Sequence, residues 1–185
     1  SSVSILDSAT VGTRDNNTHV RGTGIVFGGG RGTEVFVEAG RVSGNTTVEI
    51  NGGTMYGNVY GGGELGYVGK LTISADYRSF TWKDSEDNAN GTNDAKNTGV
   101  CTVTITGGEI GTGVTMSDDG QFDNGNVFGA GKGKEDTFWC EKAIVYSANV
   151  NISDGTVKGN VYGGGEVGRV ETNTEVTIGT DGETG

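Results

Sequence analysis

A seven-residue word recurs along this chain and constrains its fold more than any other feature. It reads Asn-Val-Tyr-Gly-Gly-Gly-Glu at residues 58–64 and returns unchanged at 160–166. Looser copies lie at 25–31 and 126–132. A word repeated at intervals of tens of residues is typical of repeat architectures, in which each unit stacks on its neighbours.

A second word precedes the first and fixes the length of the unit. It contains the pattern Val-x-Ile followed by a glycine pair or Asp-Gly, and it begins at Val48, Val103 and Val150. Val59 follows Val48 by 11 positions, and Val161 follows Val150 by the same 11. The pattern returns at Val176, 26 positions after Val150. The spacing therefore predicts about four coils of roughly 26 residues and the start of a fifth.

The chemistry of one coil predicts an all-β fold, a parallel β-helix or β-solenoid. In Val-x-Ile the two apolar side chains point inward and the middle one points outward, by the period of two along a strand. The Gly-Gly and Gly-Gly-Gly steps are interpreted as corners, where positive φ and the missing Cβ allow tight bends. Right-handed winding is expected because crossovers between parallel strands are almost always right-handed.

Stacked coils would align equivalent side chains into structural ladders. The first would be a hydrogen-bonded asparagine ladder, the second an aromatic ladder, and the third a row in which the charge alternates in sign, as stacking favours. Their members are, in that order, Asn58, Asn126 and Asn160; Phe27, Tyr60, Phe128 and Tyr162; and Arg31, Glu64, Lys132 and Glu166.

Composition agrees with a solenoid and excludes several classes. Glycine makes up 37 of 185 residues, against an average near 7%. Collagen is excluded because there is no proline and no glycine at every third position. Only 32% of residues are apolar, which would leave a compact sphere with a thin core. The net charge of −11 argues against nucleic acid and anionic membranes as partners, and no stretch is apolar enough to insert into a bilayer.

Loop insertions interrupt the repeat, and the main ones cover about 71–99, 112–125 and 134–143, with a shorter one near 33–40. Those between a glycine word and the next Val-x-Ile strand would project from one edge of the stack, which is often a binding face. Two insertions contain aromatic residues. One interpretation is that these aromatics pack the loops against the coil. The other is a ligand ledge for sugars or proteins, formed by Tyr77, Phe80, Trp82, Phe138 and Trp139.

Several patterns superficially resemble catalytic motifs. The glycines at 61, 63 and 66, and again at 163, 165 and 168, match the dinucleotide fingerprint, but strand-forming residues follow where the fingerprint needs a helix. His19 is the only histidine, so histidine-based triads are not expected. The outward residues of the repeated strand offer no carboxylate pair for glycoside hydrolysis, since they are Ser4, Glu49, Thr104, Asn151 and Thr177. The sequence thus predicts no enzyme, no catalytic residue and no cofactor.

The sequence leaves two possibilities open, a bound calcium ion and a single disulfide. The acidic runs at 84–88 and at Asp118, Asp119 and Asp123 suit calcium, although neither follows the EF-hand pattern to its bidentate glutamate. Solvated loop charge is the alternative. Cys101 and Cys140 are too few for a disulfide framework but would suffice for one bridge in an oxidising compartment.

The combined word Gly-Gly-Thr-x-x-Gly-Asn-Val-Tyr-Gly-Gly-Gly-Glu at 52–64 resembles arrays in very large, secreted, adhesin-like β-helix surface proteins of Bacteroides-type gut bacteria. The resemblance covers most of the chain outside the insertions. It implies a secreted or cell-surface location and a stalk or display role for residues 1–185, as one solenoid segment of a longer array. No site residue is carried over, because that family is recognised by its scaffold.

Three functional hypotheses follow. The first is a structural or adhesive repeat segment that binds host or bacterial surface glycans or proteins and meets further repeats or subunits at both solenoid ends. The second is a carbohydrate-binding or carbohydrate-active β-helix with its site on the inserted loops. The third is a self-assembling filament subunit.

Overall fold

The computed structural model describes residues 1–13, 24–36, 38–74, 79–82, 98–111, 124–135 and 142–180. Within these ranges the chain is all-β, which confirms that part of the prediction, and none of its segments is a helix that could cross a membrane. The strands are β1 (Ser2–Ile5), β2 (Thr10–Val11), β3 (Val26–Phe27), β4 (Thr46–Met55), β5 (Val59–Tyr60), β6 (Leu71–Ile73), β7 (Phe80–Trp82), β8 (Val100–Ile110), β9 (Val127–Phe128), β10 (Ser147–Val157), β11 (Val161–Tyr162) and β12 (Thr174–Ile178).

Two parallel sheets contain most of these strands. The larger has the order β1-β4-β8-β10-β12, and β2 also pairs with β4. The smaller has the order β11-β9-β5-β3. Isolated parallel bridges join Val42 to Val68 and Val145 to Val170, which adds a third line of contact between repeats. Parallel pairing of strands so far apart in sequence requires the chain to cross over between them.

The register of the larger sheet follows the sequence repeat residue by residue. Val3 pairs with Val48, Val48 with Val103, Val103 with Val150, and Val150 with Val176. The valine and the isoleucine of the Val-x-Ile pattern in β4, β8 and β10 are buried, and the residue between them is more exposed. The alternation predicted from Val-x-Ile is therefore present in the strands.

Most of the core is aliphatic. Val48, Val103 and Val150 pack with the valines of the smaller sheet in one cluster, which includes Val59 and Val127. A second cluster surrounds Cys101, Ala130 and Ala148. The third, around Tyr67, Leu71 and Ile144, is covered by the inserted pair β6–β7, which is antiparallel.

The glycine pairs of the second word do not form corners, contrary to the expectation. Gly52 and Gly53 lie inside β4, Gly107 and Gly108 lie inside β8, and the equivalent Asp154 and Gly155 lie inside β10. At these points the ladder register shifts. Gly53 has a φ of 78°, so the pair accommodates an irregularity within one long strand rather than a turn between two strands.

Candidate functional site

Four aromatic rings form a continuous stack along the smaller sheet. Phe27, Tyr60, Phe128 and Tyr162 occupy the second position of β3, β5, β9 and β11, and the strands pair at these positions. Each ring centroid lies 4.9 Å from the next, and the interplanar angles are 11°, 4° and 11°. Because the strand spacing is about 4.8 Å, the rings inherit their separation from the backbone.

The asparagines just before these strands are joined by hydrogen bonds. The backbone N–H of Asn126 donates to Oδ1 of Asn58 at 2.9 Å, and the N–H of Asn160 donates to Oδ1 of Asn126 at 2.8 Å. Asn58 also donates through Nδ2 to the hydroxyl of Tyr60 at 3.1 Å. The asparagine side chain therefore satisfies a backbone donor of the next repeat, which explains its place in the word.

The charged row lies just beyond the glycines. Glu64 Oε2 lies 3.3 Å from Arg31 Nε, and Glu64 Oε1 lies 3.6 Å from Lys132 Nζ, so one carboxylate joins two cations of neighbouring repeats. The contact of Glu166 is of another kind, since its carboxylate accepts a hydrogen bond from the hydroxyl of Tyr60. Burial and this bond to Glu166 raise the pKa of Tyr60 well above its ordinary value, so the phenol stays protonated and acts as a donor.

A groove of about 610 Å³ opens beside this row. Its lining combines Phe27 at the end of the aromatic stack, which is partly buried, with backbone of the neighbouring segments and charged groups of both signs. The lining residues are Val11, Gly12, Gly24, Ile25, Phe27, Arg31, Glu64 and Lys132. An apolar ring flanked by an ion-paired carboxylate and two cations suits a ligand that has both an apolar face and polar edges, such as a sugar ring. We treat this groove, called the ladder groove below, as the candidate site.

The sequence did not predict the ladder groove. It aligned Arg31, Glu64 and Lys132 as stacked charges but assigned ligand binding to the inserted loops. The signal that could have located the groove is the combination of an aromatic residue and a charged residue four positions apart in each copy of the word. Whether two side chains four positions apart across a glycine turn face the same side cannot be predicted until the geometry of the turn is known.

The described members of the proposed aromatic ledge pack inward. Trp82 meets Phe80 and Tyr146 edge to face, with centroid separations of 6.4 and 5.2 Å. The guanidinium of Arg169 lies 5.1 Å from the centre of the Phe80 ring. Both aromatics cover the small core around Tyr67, which corresponds to the packing interpretation for these two residues. Tyr77, Phe138 and Trp139 lie outside the described residues.

Trp82 contains the one buried polar side-chain atom in the described residues that has no hydrogen-bond partner, its indole Nε1. The ring lies against the backbone of Gly69 and Gly99, so a Cβ at either glycine would meet Trp82 Cζ3 within 3.0 Å. The two glycines thus make room for the indole. This arrangement anchors β7 on the parallel sheets.

One ion pair and one hydrogen bond join two of the inserted segments. Lys134 Nζ lies 2.5 Å from Glu34 Oε1, and the buried Lys142 donates to the carbonyl of Thr33 at 2.5 Å. Burial lowers the pKa of Lys142, and the neighbouring Glu34 opposes that shift. The insertions near 33–40 and 134–143 therefore meet at one edge.

The described part of the chain contains neither a cluster of metal-binding side chains nor a disulfide. It contains no group of three His, Cys, Asp or Glu side chains that could hold a metal ion. The acidic runs proposed for calcium, at 84–88 and 118–123, lie outside it, as does Cys140. Cys101 is buried and has a free thiol, and burial raises its pKa to about 12.

Comparison with known proteins provides no family for this arrangement. No protein-family model, no curated protein and no solved structure matches the chain.

Proposed function

We propose that the chain is a right-handed β-solenoid segment that serves as a structural and adhesive part of a secreted bacterial surface protein. The observation that carries this proposal is the common register of its repeats. Equivalent residues lie side by side in the larger sheet, in the smaller sheet and at the isolated bridges. A chain wound in this way gives a solenoid in which strand pairing joins each unit to its neighbours.

The use of side chains in the repeat supports a scaffold role. Asn58 bonds the backbone of the next repeat, Tyr60 stacks between two rings, and Glu64 bridges two cations. Each of these contacts joins one repeat to another. Side chains occupied in this way stabilise an elongated body with few apolar residues, which suits a stalk or display element. The secreted location rests on the resemblance of the repeat words to surface-protein arrays.

Surface labelling of intact source cells would test the location and role. Antibodies raised against the isolated chain should label unpermeabilised cells, and external protease should remove the label. Labelling that appears only after permeabilisation would overturn the surface role.

The ladder groove favours a second candidate function, the binding of a carbohydrate. Its supporting observation is the position of Phe27 beside Arg31, Glu64 and Lys132 in a concave surface of about 610 Å³. A glycan array with the isolated chain, followed by calorimetry on any hit, would test it. Binding lost in Phe27→Ala and Arg31→Ala but kept in Trp82→Phe assigns the site to this groove. Binding lost only on changes at Trp82 would place it at the inserted loops instead.

A further inference from the structure

The described lining of the ladder groove carries more positive than negative charge. Arg31 and Lys132 contribute two cations, whereas Glu64 contributes one carboxylate. The chain as a whole has a formal net charge of −11, so the groove differs in sign from the molecule to which it belongs. A concave site lined by one sign of charge raises the local concentration of ligands of the opposite sign. The groove therefore favours a ligand with a negative charge over a neutral one.

The three charged side chains of the groove come from three successive repeats. They follow β3, β5 and β9, and these strands are paired in parallel at Val26, Val59 and Val127. Because paired strands lie about 4.8 Å apart, the charged row runs along the flank of the smaller sheet and crosses two strand spacings. A ligand that lies along this flank can reach a cation on either side of Glu64.

Arg31 keeps hydrogen-bonding capacity for such a ligand. Its ion pair with Glu64 runs through Nε, which lies 3.3 Å from Oε2, and its side chain is 88% exposed. The guanidinium group has five N–H donors in a planar fork, and four of them belong to the two terminal Nη groups. That fork matches the two oxygens of a carboxylate, which it binds through two parallel hydrogen bonds. Arg31 can therefore pair with a carboxylate of a ligand without leaving Glu64.

Lys132 places a second positive charge on the other side of Glu64. Its Nζ lies 3.6 Å from Glu64 Oε1, beyond the usual length of a hydrogen bond, and its side chain is 33% exposed. The ammonium group has three donors, so it can donate to a ligand and remain close to Glu64. The next carboxylate of the row, that of Glu166, accepts a hydrogen bond from Tyr60, and Glu166 is not one of the lining residues.

The rest of the described lining suits the ring of a sugar. Phe27 supplies a partly buried aromatic side chain, and Val11 and Ile25 add aliphatic residues. Sites for small molecules are typically apolar, with a few polar groups that fix the orientation of the ligand. The volume of about 610 Å³ also lies within their usual range of about 300–1,000 Å³. The groove thus offers an apolar surface for a ring beside cations for an acidic group.

From this combination we propose that the ladder groove binds sugars that carry a carboxylate, the uronic and sialic acids, and that Arg31 and Lys132 pair with that carboxylate. The inference rests on the carbohydrate binding proposed for this groove and names the class of sugar. Glu64 holds the two cations in place, and the sugar ring packs beside Phe27. The carboxylate of the ligand offsets the excess of positive charge in the lining.

Calorimetry of the parent chain with matched ligands tests the requirement for charge. One pair is the galacturonic acid trimer and its methyl ester, and the other is sialyllactose and lactose. At least one acid should bind about tenfold or more tightly than its uncharged partner, which lacks charge-assisted hydrogen bonds. Added salt should weaken the binding of the acid alone. Equal affinity for each acid and its partner would overturn this inference and leave carbohydrate binding standing. Failure of both acids to bind would also overturn it, and the glycan array decides separately whether the groove binds another sugar.

Variants of the two cations locate the site. Arg31→Gln should weaken binding of the acid by about tenfold, and Lys132→Gln should weaken it severalfold. The matched control is Arg41→Gln, which removes the same charge from an arginine that pairs with Glu38 and does not line the groove. It should bind like the parent, and circular dichroism confirms that each variant is folded. Unchanged binding in Arg31→Gln, or an equal loss in Arg31→Gln and Arg41→Gln, would overturn the proposal.

Discussion

Close backbone approach, rather than unusual torsion, requires glycine at Gly61. A Cβ built there would lie 2.1 Å from the carbonyl oxygen of Gly129 in the next repeat and 3.1 Å from Val103 Cγ2. Gly53 requires glycine for the other reason, since its φ is 78° inside β4. The two words thus require glycine for two different physical reasons, close backbone approach and a positive φ, although the sequence analysis interpreted both as corners.

Gly61→Ala should lower the free energy of unfolding by about 1–3 kcal/mol, because the added methyl group forces two backbones apart. Gly164→Ala is the matched control, since a Cβ there meets nothing within 4 Å and φ is not positive. It should change stability by less than about 0.5 kcal/mol. Urea denaturation followed by circular dichroism measures both. Equal midpoints for the two variants would contradict the close-approach explanation.

The buried thiol of Cys101 should make stability fall at alkaline pH. Its pKa is raised to about 12 from an ordinary value of 9.0, so the folded chain keeps a proton that the unfolded chain loses. The stability is fully present below pH 9 and decreases as pH rises toward 12, by about 1.4 kcal/mol per pH unit.

Cys101→Ala should reduce this alkaline loss, and the change is conservative because Ala148 occupies the paired position in β10. Denaturation midpoints at pH 7.5, 9 and 10.5 give the measurement. Tyr60 contributes a similar loss above pH 10, so the comparison rests on the difference between parent and variant. Parallel pH profiles for the two proteins would exclude Cys101 as a source.

Among the strands, the Val-x-Ile elements were predictable and the course of the chain between them was not. Two apolar residues flanking an exposed one specify which face is buried, and the repeat specifies which strands pair. The bulged glycines of β4 were not predictable as such, because a glycine pair permits both a turn and an irregular strand. The choice depends on the neighbouring strand, which carries the same irregularity.

The inserted segments were the least predictable elements. Trp82 and Phe80 occur once, so no repeated counterpart indicates where they lie. Their place against Gly69 and Gly99 depends on the antiparallel pairing of β6 with β7. The ladder groove could not be predicted either, because its lining residues come from different repeats rather than from one word.

Position within the sheet should determine the cost of losing one side chain. Ile105→Ala in β8 should lower the free energy of unfolding by about 2–5 kcal/mol, since the side chain is fully buried between β4 and β10. Ile178→Ala removes the same atoms at the same repeat position, but its side chain is 66% exposed, so the cost should stay below about 1 kcal/mol. Urea titrations of both variants provide the test, and similar losses would contradict the burial gradient.

The solenoid proposed for the molecule should behave in its energetics as a one-dimensional stack. Most contacts join a repeat to the one before or after it, as the pairing order of the larger sheet shows. An inner repeat is stabilised on two sides and an outer repeat on one. Opening should therefore begin at the edge strands and proceed inward.

Hydrogen exchange measured by mass spectrometry should report this gradient. At low protein concentration, backbone amides of β8 and of the β10 segment around Val150 should exchange slowest, since both strands are paired on two sides. Amides of β12 should exchange orders of magnitude faster, because β12 pairs on one side only and its side chains are exposed. Uniform exchange across all five strands would mean that the sheet opens as a single unit, contrary to a nearest-neighbour stack.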